Sequence, residues 1–598
     1  MERLQELDLA QIFVAYGVGV VTLLVLYYLV KSDPEKAVPY NVTAPEQVKS
    51  GWKGEILKEP SLKVSGSSLV QCYCPATGES LGRVNPSTTD GIDRAIAKAK
   101  EAQVQWAKTT FAERRKVLKT MLKFVLENQE TIARVACLDS GKTMVDASLG
   151  EILVTAEKLK WTIDHGEDSL KPESRPTNFL MMYKKNEVIW QPLGVVAALV
   201  SWNYPFHNLV SPIIASIFAG NAIIVKGSEA TAWSSAYFTS IVTSALVACG
   251  HSPDIVQSVV CWPNVAEHLT SHPDIAHITF IGSRPVAHHV CASAAKSLTP
   301  VCVELGGKDP AIVFDDLSNS EFHRVASILM RGTFQSAGQN CIGIERVIAL
   351  PNIYDRLVAQ IEPLVSSLRP GSILHASPST PIDVGASISP ASFNNLESLI
   401  QDAVSHGARL LAGGKRYTHP EFPQGHYFTP TLIVDVTPDM KIAQTELFAP
   451  VFLMMRATSV THAIALANST PFALGASVYG AHKPSLERVV REVQAGMVAV
   501  NDFAVTYMVQ LPFGGVKGSG YGRFAGKEGL RGVCNQKAVT RDRWPGVKTS
   551  IPGPMDLPLA RNGEGAGQRA WKMAMGVVWV GYGDWVGKVR GIKGLIGL

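Results

Sequence analysis

A chain of 598 residues exceeds what one compact core supports, so two or three domains are expected. Hydrophobic residues make up 46% and charged residues 18%, which describes a globular protein with an apolar excess; the formal net charge of +5 is spread along the chain, with no block that would mark a nucleic-acid surface. The nine cysteines are odd in number and Cys72-Tyr73-Cys74 has no second pair to join, so neither a disulfide framework nor a metal site is expected, and most of the mass belongs in a reducing compartment.

Residues 1–8 are a short flank. Leu9 to Val30 then carry no charge over 22 residues. At 1.5 Å per residue such a helix reaches roughly 30 Å, enough to cross a bilayer. A signal peptide would want a basic start, a shorter apolar run and a small-residue cleavage site, whereas Glu2, Glu6 and Asp8 precede this run and Lys31-Ser32-Asp33-Pro34 follows it. A buried core helix is the plainer alternative, and the uninterrupted apolar length argues against it. Lys31, Lys36, Lys49 and Lys53 follow the span and only Arg3 precedes it, so the bulk of the chain is expected on the cytosolic side. Residues 31–54 read as a linker.

Asp90 to Gln105 is an amphipathic helix with Ile92, Ala95, Ile96 and Ala99 on one face. Helices are expected from about Phe111 to Leu138 and from Ala147 to Ile163. Phe179 to Trp190 turns β-like and reads as a hairpin arm. From Gly194 strands and helices alternate: Val195–Val200, Leu209–Ala219 closed by Gly220-Asn221, Ala222–Val225, Ala232–Ala248, Ser258–Val260 and His277–Ile281. Repeated βα units imply a parallel sheet covered on both faces, and ligands on such sheets lie at the carboxyl ends of the strands. Asn203, Lys226, Glu229 and Ser283 fall at those ends. No Gly-x-Gly-x-x-Gly fingerprint follows any strand, so a phosphate would need another cradle, such as Gly282-Ser283 at a helix N-terminus; the plain alternative there is a simple cap.

Glu304 ends the apolar strand Val301–Glu304, either as a solvated turn residue or as a carboxylate held at the sheet's ligand edge. A second α/β region runs from Asp309 to about Asn501. Within it, Gly338-Gln339-Asn340-Cys341-Ile342-Gly343 holds one cysteine among small and amide residues. A free cysteine is ordinarily a small buried hydrophobe. Gln339 and Asn340 are poor core residues, and the glycines permit a sharp turn that would present the sulfur as a nucleophile. Pro512 to Arg523 is a glycine-rich loop suited to close approach to a ligand, or merely a crossing between domains. After Asp542 the prolines and glycines mark a flexible connection. Trp571, Met575, Val578, Tyr582, Trp585, Val589, Ile592 and Ile596 recur at spacings of three and four in a basic setting, as in an interfacial helix, while seven glycines between 576 and 597 argue against a firm helix in water.

Taken in order, Trp202-Asn203-Tyr204-Pro205, Lys226-Gly227-Ser228-Glu229, Phe280-Ile281-Gly282-Ser283, Glu304-Leu305-Gly306-Gly307-Lys308, Gly338-Gln339-Asn340-Cys341, Glu446-Leu447-Phe448-Ala449-Pro450-Val451 and Pro512-Phe513-Gly514-Gly515 resemble the aldehyde dehydrogenase superfamily from about residue 55 to 545. The apolar start and the long tail are most similar to a fungal membrane-anchored branch named for meiotic sister-chromatid recombination. Ser201, Gly227 and Ala449 depart from the family's usual residues.

The resemblance implies an α/β fold: a Rossmann-like cofactor domain over 55–306 with an oligomerisation arm at 174–192, an α/β catalytic domain over 307–515, and a C-terminal return with an oligomerisation strand over 516–545. The tail, 546–598, would be flexible with a membrane-surface segment at 571–598, and a transmembrane helix would precede it all at 9–30. The resemblance implies Cys341 as nucleophile, Glu304 as the base that activates water, and Asn203 as oxyanion donor, with no metal. It places NAD, with NADP as the alternative, on Trp202, Lys226, Glu229, Gly282, Ser283, Glu446 and Phe448. Expected partners are an aldehyde, membrane lipid through the N-terminal helix, and further copies of the chain in a homodimer or homotetramer. A single-pass protein of the endoplasmic reticulum membrane is expected, with lipid-derived aldehydes as substrates on the strength of that address alone. A tethered scaffold without turnover is the competing reading.

Overall fold

The computed structural model describes residues 34–49, 51–372, 374, 381–503 and 508–596. The apolar span expected at 9–30 lies outside them. Among the described residues no helix is long and apolar enough to cross a membrane. The chain forms two compact units: one from residues up to Ser169 together with Pro192–Cys534, the other from Leu170–Gln191 and Asn535–Leu598.

In the first unit, α1 (Thr89–Trp106) buries Ile92, Ala95, Ile96 and Ala99 as its spacing predicts. The single helix expected from Phe111 to Leu138 is two, α2 (Phe111–Glu127) and α3 (Gln129–Ser140). Asn128 breaks it: its backbone leaves the helical region at φ −122°, ψ 25°, and its side chain caps the Phe124 carbonyl at 2.9 Å. The next helix also differs. A π-helical stretch, Ser148–Leu153, precedes α4 (Val154–Leu170). Such stretches are rare and are frequent at functional sites. Here Gly150 meets the Tyr204 ring, and a Cβ on it would collide.

After β1 (Glu173–Arg175) and β2 (Lys184–Pro192), which belong to the second unit, the chain enters a six-stranded sheet. Its members are β3 (Val195–Leu199), β4 (Ala222–Lys226), β5 (Val256–Val259), β6 (Ile278–Ile281) and β7 (Val301–Glu304), joined later by β15. Helices α5 (His207–Ala219), α6 (Ala232–Ala248) and α7 (Pro263–Thr270) alternate with these strands, and α8 (Arg284–Ala295) follows β6. The β3 run is buried throughout, which suits a central parallel strand. Residue Gly220 ends α5 at φ +92°, a conformation that favours glycine.

The second sheet has seven strands in the order β10-β11-β12-β9-β8-β13-β14. They are β8 (Pro310–Val313), β9 (Arg346–Ala349), β10 (Arg409–Ala412), β11 (Thr431–Val434), β12 (Val451–Arg456), β13 (Gly475–Tyr479) and β14 (Met497–Val500), with α9 (Asn319–Phe334) after β8. Apolar clusters lie on both faces of this sheet. The glycine-rich loop then returns to the first sheet. Its end, β15 (Gly520–Tyr521), pairs antiparallel with β7, setting Gly520 opposite Glu304. The first sheet thus reads β15-β7-β6-β3-β4-β5.

The second unit contains a three-stranded sheet of β16 (Cys534–Asp542), β2 and β1. The arm strand is shorter than the run Phe179–Trp190. The Asn178 carboxamide accepts the Met181 N–H at 2.9 Å and bends Phe179–Met181 into a turn instead. The tail is not the loose segment its glycines suggest. It holds two helices, α10 (Ala566–Tyr582) and α11 (Trp585–Ile596), folded back on each other. The glycines sit where the helices meet: a Cβ at Gly591 would lie 2.7 Å from the Gly576 carbonyl oxygen, and one at Gly576 would lie 2.9 Å from Leu595. The propensity penalty of glycine is offset by the close approach it permits.

Candidate functional site

The cysteine turn is built from strained backbone. Ser336 (φ 54°), Ala337 (φ 56°) and Gly338 (φ 73°) are three successive left-handed residues. Only glycine fits at 338, because a Cβ there would run into the Ala449 carbonyl. Gln339 and Asn340, expected to be too polar for a core, are buried nonetheless. The reason for Gln339 is a complete set of partners: its amide donates to the carbonyls of Ser336 (3.0 Å) and Ala386 (3.3 Å) and accepts the Ile388 N–H (2.9 Å). The turn is thereby fastened, and Cys341 at its end is partly buried.

The side chains of Cys341 and Glu304 line the same two cavities and shift each other's proton affinity. Glu304 ends β7, is buried, and accepts the Gly306 N–H at 3.2 Å. Burial pushes its carboxyl up to about 7, and the neighbouring Cys341 side chain and the Gly306 N–H only partly oppose this. Cys341 is held well above the ordinary thiol range, first by burial and then by the charge of Glu304. Asn203 is buried; its amide donates to the Gln339 carbonyl at 3.2 Å, and its oxygen accepts from Ser201 (2.7 Å) and Asn208 (3.1 Å).

These three residues, expected from sequence to act together, line one cavity of about 240 Å³ with Trp202, Gly282, Ser283, Glu446 and Phe448. A groove of about 670 Å³ follows along the carboxyl ends of β3, β4 and β6, lined by Trp202, Lys226, Glu229, Gly282 and Ser283. Lys226 and Glu229 form an ion pair at 3.0 Å. Ser283 stands at the N-terminus of α8 without capping it, and its side chain is exposed. Trp202 meets the ring of Phe448 edge-on at 5.6 Å. Every candidate residue therefore lies in one continuous set of linings. A third cavity, of about 60 Å³, touches Cys341 and Glu304 together with Lys158, Tyr204, His207 and Phe513.

The residues that hold this arrangement were not singled out from the sequence. Lys142 and Glu151 form a buried ion pair at 2.6 Å. Lys142 also donates to the Asn203 carbonyl at 2.7 Å, and Glu151 accepts the N–H groups of Phe206 (3.1 Å) and His207 (2.9 Å). The Asn203 loop is thus clamped from the π-helical stretch. On the other side, Glu345 takes Lys308 at 2.7 Å and accepts the N–H groups of Leu447 and Phe448, which fixes the turn carrying Glu446. Glu446 accepts the Gly307 N–H at 3.2 Å. Its carboxyl is raised well above the usual range by burial and by the nearby charges of Glu345 and Glu304.

The profile of the aldehyde dehydrogenase family matches residues 63–539. A Schizosaccharomyces pombe protein described as aldehyde dehydrogenase-like is 52% identical over 526 residues, covering 88% of this chain and 98% of its own. A Saccharomyces cerevisiae protein of the same description is 50% identical, covering 91% and 88%. Among solved structures, a Mycobacterium tuberculosis aldehyde dehydrogenase complexed with NAD+ superposes with a TM-score of 0.72 at 29% identity, over 80% of this chain and 95% of that one.

Proposed function

Because the chain belongs to the aldehyde dehydrogenase family, we propose that it oxidises an aldehyde to a carboxylate through a thiohemiacetal and a thioester on Cys341. The observation that carries this reading is that Cys341 and Glu304 line both the cavity at the sheet edge and the interior cavity, so one sulfur meets a cofactor from one side and an aldehyde from the other. The sulfur attacks the carbonyl carbon as its proton passes to the neighbouring Glu304 carboxylate. The oxyanion that forms is held by the Cys341 backbone N–H and by the second N–H of the Asn203 amide, whose first is engaged by Gln339. One such donor is worth roughly 10²–10³ in rate. The groove suits a dinucleotide: the Lys226–Glu229 pair stands where ribose hydroxyls would bind, Ser283 offers a hydroxyl at a helix N-terminus, and Glu446 and Phe448 flank the end nearest the sulfur. When bound there, a nicotinamide supplies the hydride acceptor that converts the thiohemiacetal to the thioester. Glu304 gives the thiol's proton up to solvent and, as a carboxylate again, takes a proton from water; the hydroxyl adds to the thioester carbon, the C–S bond breaks as the Glu304 proton returns to the Cys341 sulfur, and the acid formed ionises and leaves as the carboxylate.

NAD is proposed ahead of NADP. The Glu229 carboxylate repels a 2′-phosphate, and Lys226, which would offset that, is already paired with it. A relative 31% identical is named succinate-semialdehyde dehydrogenase [NADP(+)] 1, so both dinucleotides belong in the assay.

A membrane address is part of the proposal: residues 9–30 span the bilayer of the endoplasmic reticulum, the site faces the cytosol, and the tail hairpin rests on lipid. Exposed Trp571, Tyr582 and Trp585 with Lys572, Lys588, Arg590 and Lys593 support the last point. Pairing of copies through the mostly exposed β16 gives a homodimer or homotetramer.

Purified protein mixed with an aldehyde series and either dinucleotide is expected to reduce one of them, and Cys341→Ser is expected to stop it. No turnover with any pair, or turnover indifferent to Cys341→Ser, would leave a membrane-tethered scaffold as the reading.

A further inference from the structure

Three lysines are buried among the described residues: Lys142, Lys158 and Lys308. Two of them meet a carboxylate, Glu151 at 2.6 Å and Glu345 at 2.7 Å. Lys158 meets none among the described residues. Among the described residues its ammonium donates to one acceptor, the Phe524 carbonyl at 3.2 Å, which leaves two of its three N–H groups without a partner there. It lies one helical turn from Val154 on α4, and both line the interior cavity that Cys341 and Glu304 share. Burial alone lowers its ammonium to about 8, which leaves it mostly charged at neutral pH. His207 lines the same cavity and is held neutral, driven down to about 3 by burial and by the two neighbouring ammonium groups of Lys158 and Lys142.

A buried cation without a counter-charge is unfavourable, and chains avoid it unless something else supplies the anion. The lining beside it is otherwise mixed, with Ser211 and Asn208 set against Phe513 and Phe524. We propose that Lys158 is an anion subsite of the aldehyde pocket, and that the substrate is an aldehyde bearing a carboxylate. This rests on the reading of Cys341 as the nucleophile of aldehyde oxidation. The carboxylate accepts from the Lys158 ammonium while the carbonyl carbon meets the Cys341 sulfur; no bond forms or breaks at Lys158. A substrate with only an alkyl chain would leave the ammonium unmatched, which sets the pocket's chemistry against the lipid-derived aldehydes that a membrane address suggests.

The test compares succinic semialdehyde with butanal, a pair of equal chain length, on the detergent-purified full chain. The wild type is expected to favour the acid in kcat/KM by roughly 10- to 100-fold, the range of one charge-assisted hydrogen bond. In Lys158→Met the acid-to-butanal ratio should collapse through the KM of the acid, and Lys158→Arg should restore part of it. A melting temperature for each variant confirms that it is folded. A wild type that favours butanal, or a ratio that Lys158→Met does not move, would overturn the subsite. A second arm measures binding of succinate against the uncharged butanamide to Cys341→Ser by calorimetry. If the wild type turns over neither aldehyde yet succinate binds in a Lys158-dependent way, the subsite stands and aldehyde oxidation falls. If turnover is present and succinate binds no better than butanamide, the subsite falls and aldehyde oxidation stands.

Discussion

The catalytic cleft and the tail hairpin are opposite in what they bury. In the cleft the charges are inside: Glu304, Lys308, Asp309 and Glu345 are all under 10% exposed. In the hairpin the large apolar side chains are outside, with Trp585 at 85% and Ile596 at 80% exposure, while Gly576, Gly587 and Gly591 are inside. Both are departures from the ordinary water-soluble pattern, and they teach different things. Buried charge in the cleft is matched by partners, and where the match is incomplete the proton affinity moves, as at Glu304. Exposed apolar surface on a hairpin held by glycine contacts suits the membrane address proposed above, because close backbone approach can do in lipid the work that apolar burial does in water.

That contrast can be broken at either end. The largest effect is expected at Glu304. Glu304→Gln keeps the shape but removes the base, so hydrolysis of the acyl-enzyme should slow by about 10²–10⁴, seen as a burst of dinucleotide reduction followed by a slow steady state. In the wild type, kcat should rise with pH through about 7 as the carboxylate forms, and Glu304→Gln should lose that inflection. Stability follows the same group with a definite sign. Its carboxyl is raised on folding, so its contribution is full below the ordinary glutamate range and is lost as pH rises through about 7. Glu304→Gln should therefore melt higher than the wild type in alkaline buffer and not in acid.

Next in size is the clamp. Lys142→Met strands Glu151 inside the protein and releases the Asn203 carbonyl, which should cost about 3–5 kcal/mol in denaturant unfolding. Gly338→Ala places a methyl against the Ala449 carbonyl at positive φ; about 1–3 kcal/mol and most of kcat should go together, since the same turn presents the sulfur. The smallest effect is expected at the hairpin. Gly591→Leu should pry α10 from α11 and raise protease cutting after Arg569 and Lys572, while turnover of soluble aldehydes stays within about twofold. Equal loss of turnover would mean that the two regions are coupled.

Much of the cleft could be placed through the ordered motifs that carry the family resemblance. Cys341, Glu304, Asn203, Glu446 and Phe448 each sit in a short motif, and Lys226 and Glu229 end a strand whose apolar run is plain. The fasteners could not be read that way. Lys308 and Glu345 stand 37 residues apart, and Lys142 reaches both Glu151 and a carbonyl at 203; no local spacing links such groups. Nothing in the sequence sets Lys158 apart from Lys160 on the same helix, since only packing decides which face of α4 is wet. Asn128 was passed over because the apolar spacing continues across it, although a side chain that competes for backbone carbonyls was there to be weighed. The tail glycines were counted against a helix one at a time, and their meaning lies in pairs from two helices.

The pairing of β15 with β7 has a consequence for synthesis. Until Gly520 and Tyr521 emerge from the ribosome, the strand carrying Glu304 is an open sheet edge. At about 5–20 residues per second, translation leaves that edge uncovered for roughly 10–40 s. The nucleophile at 341 is made early in that interval, and the strand that seals the base behind it comes only at its end. A nascent chain interrupted anywhere between them carries the reactive pair without the wall that completes it.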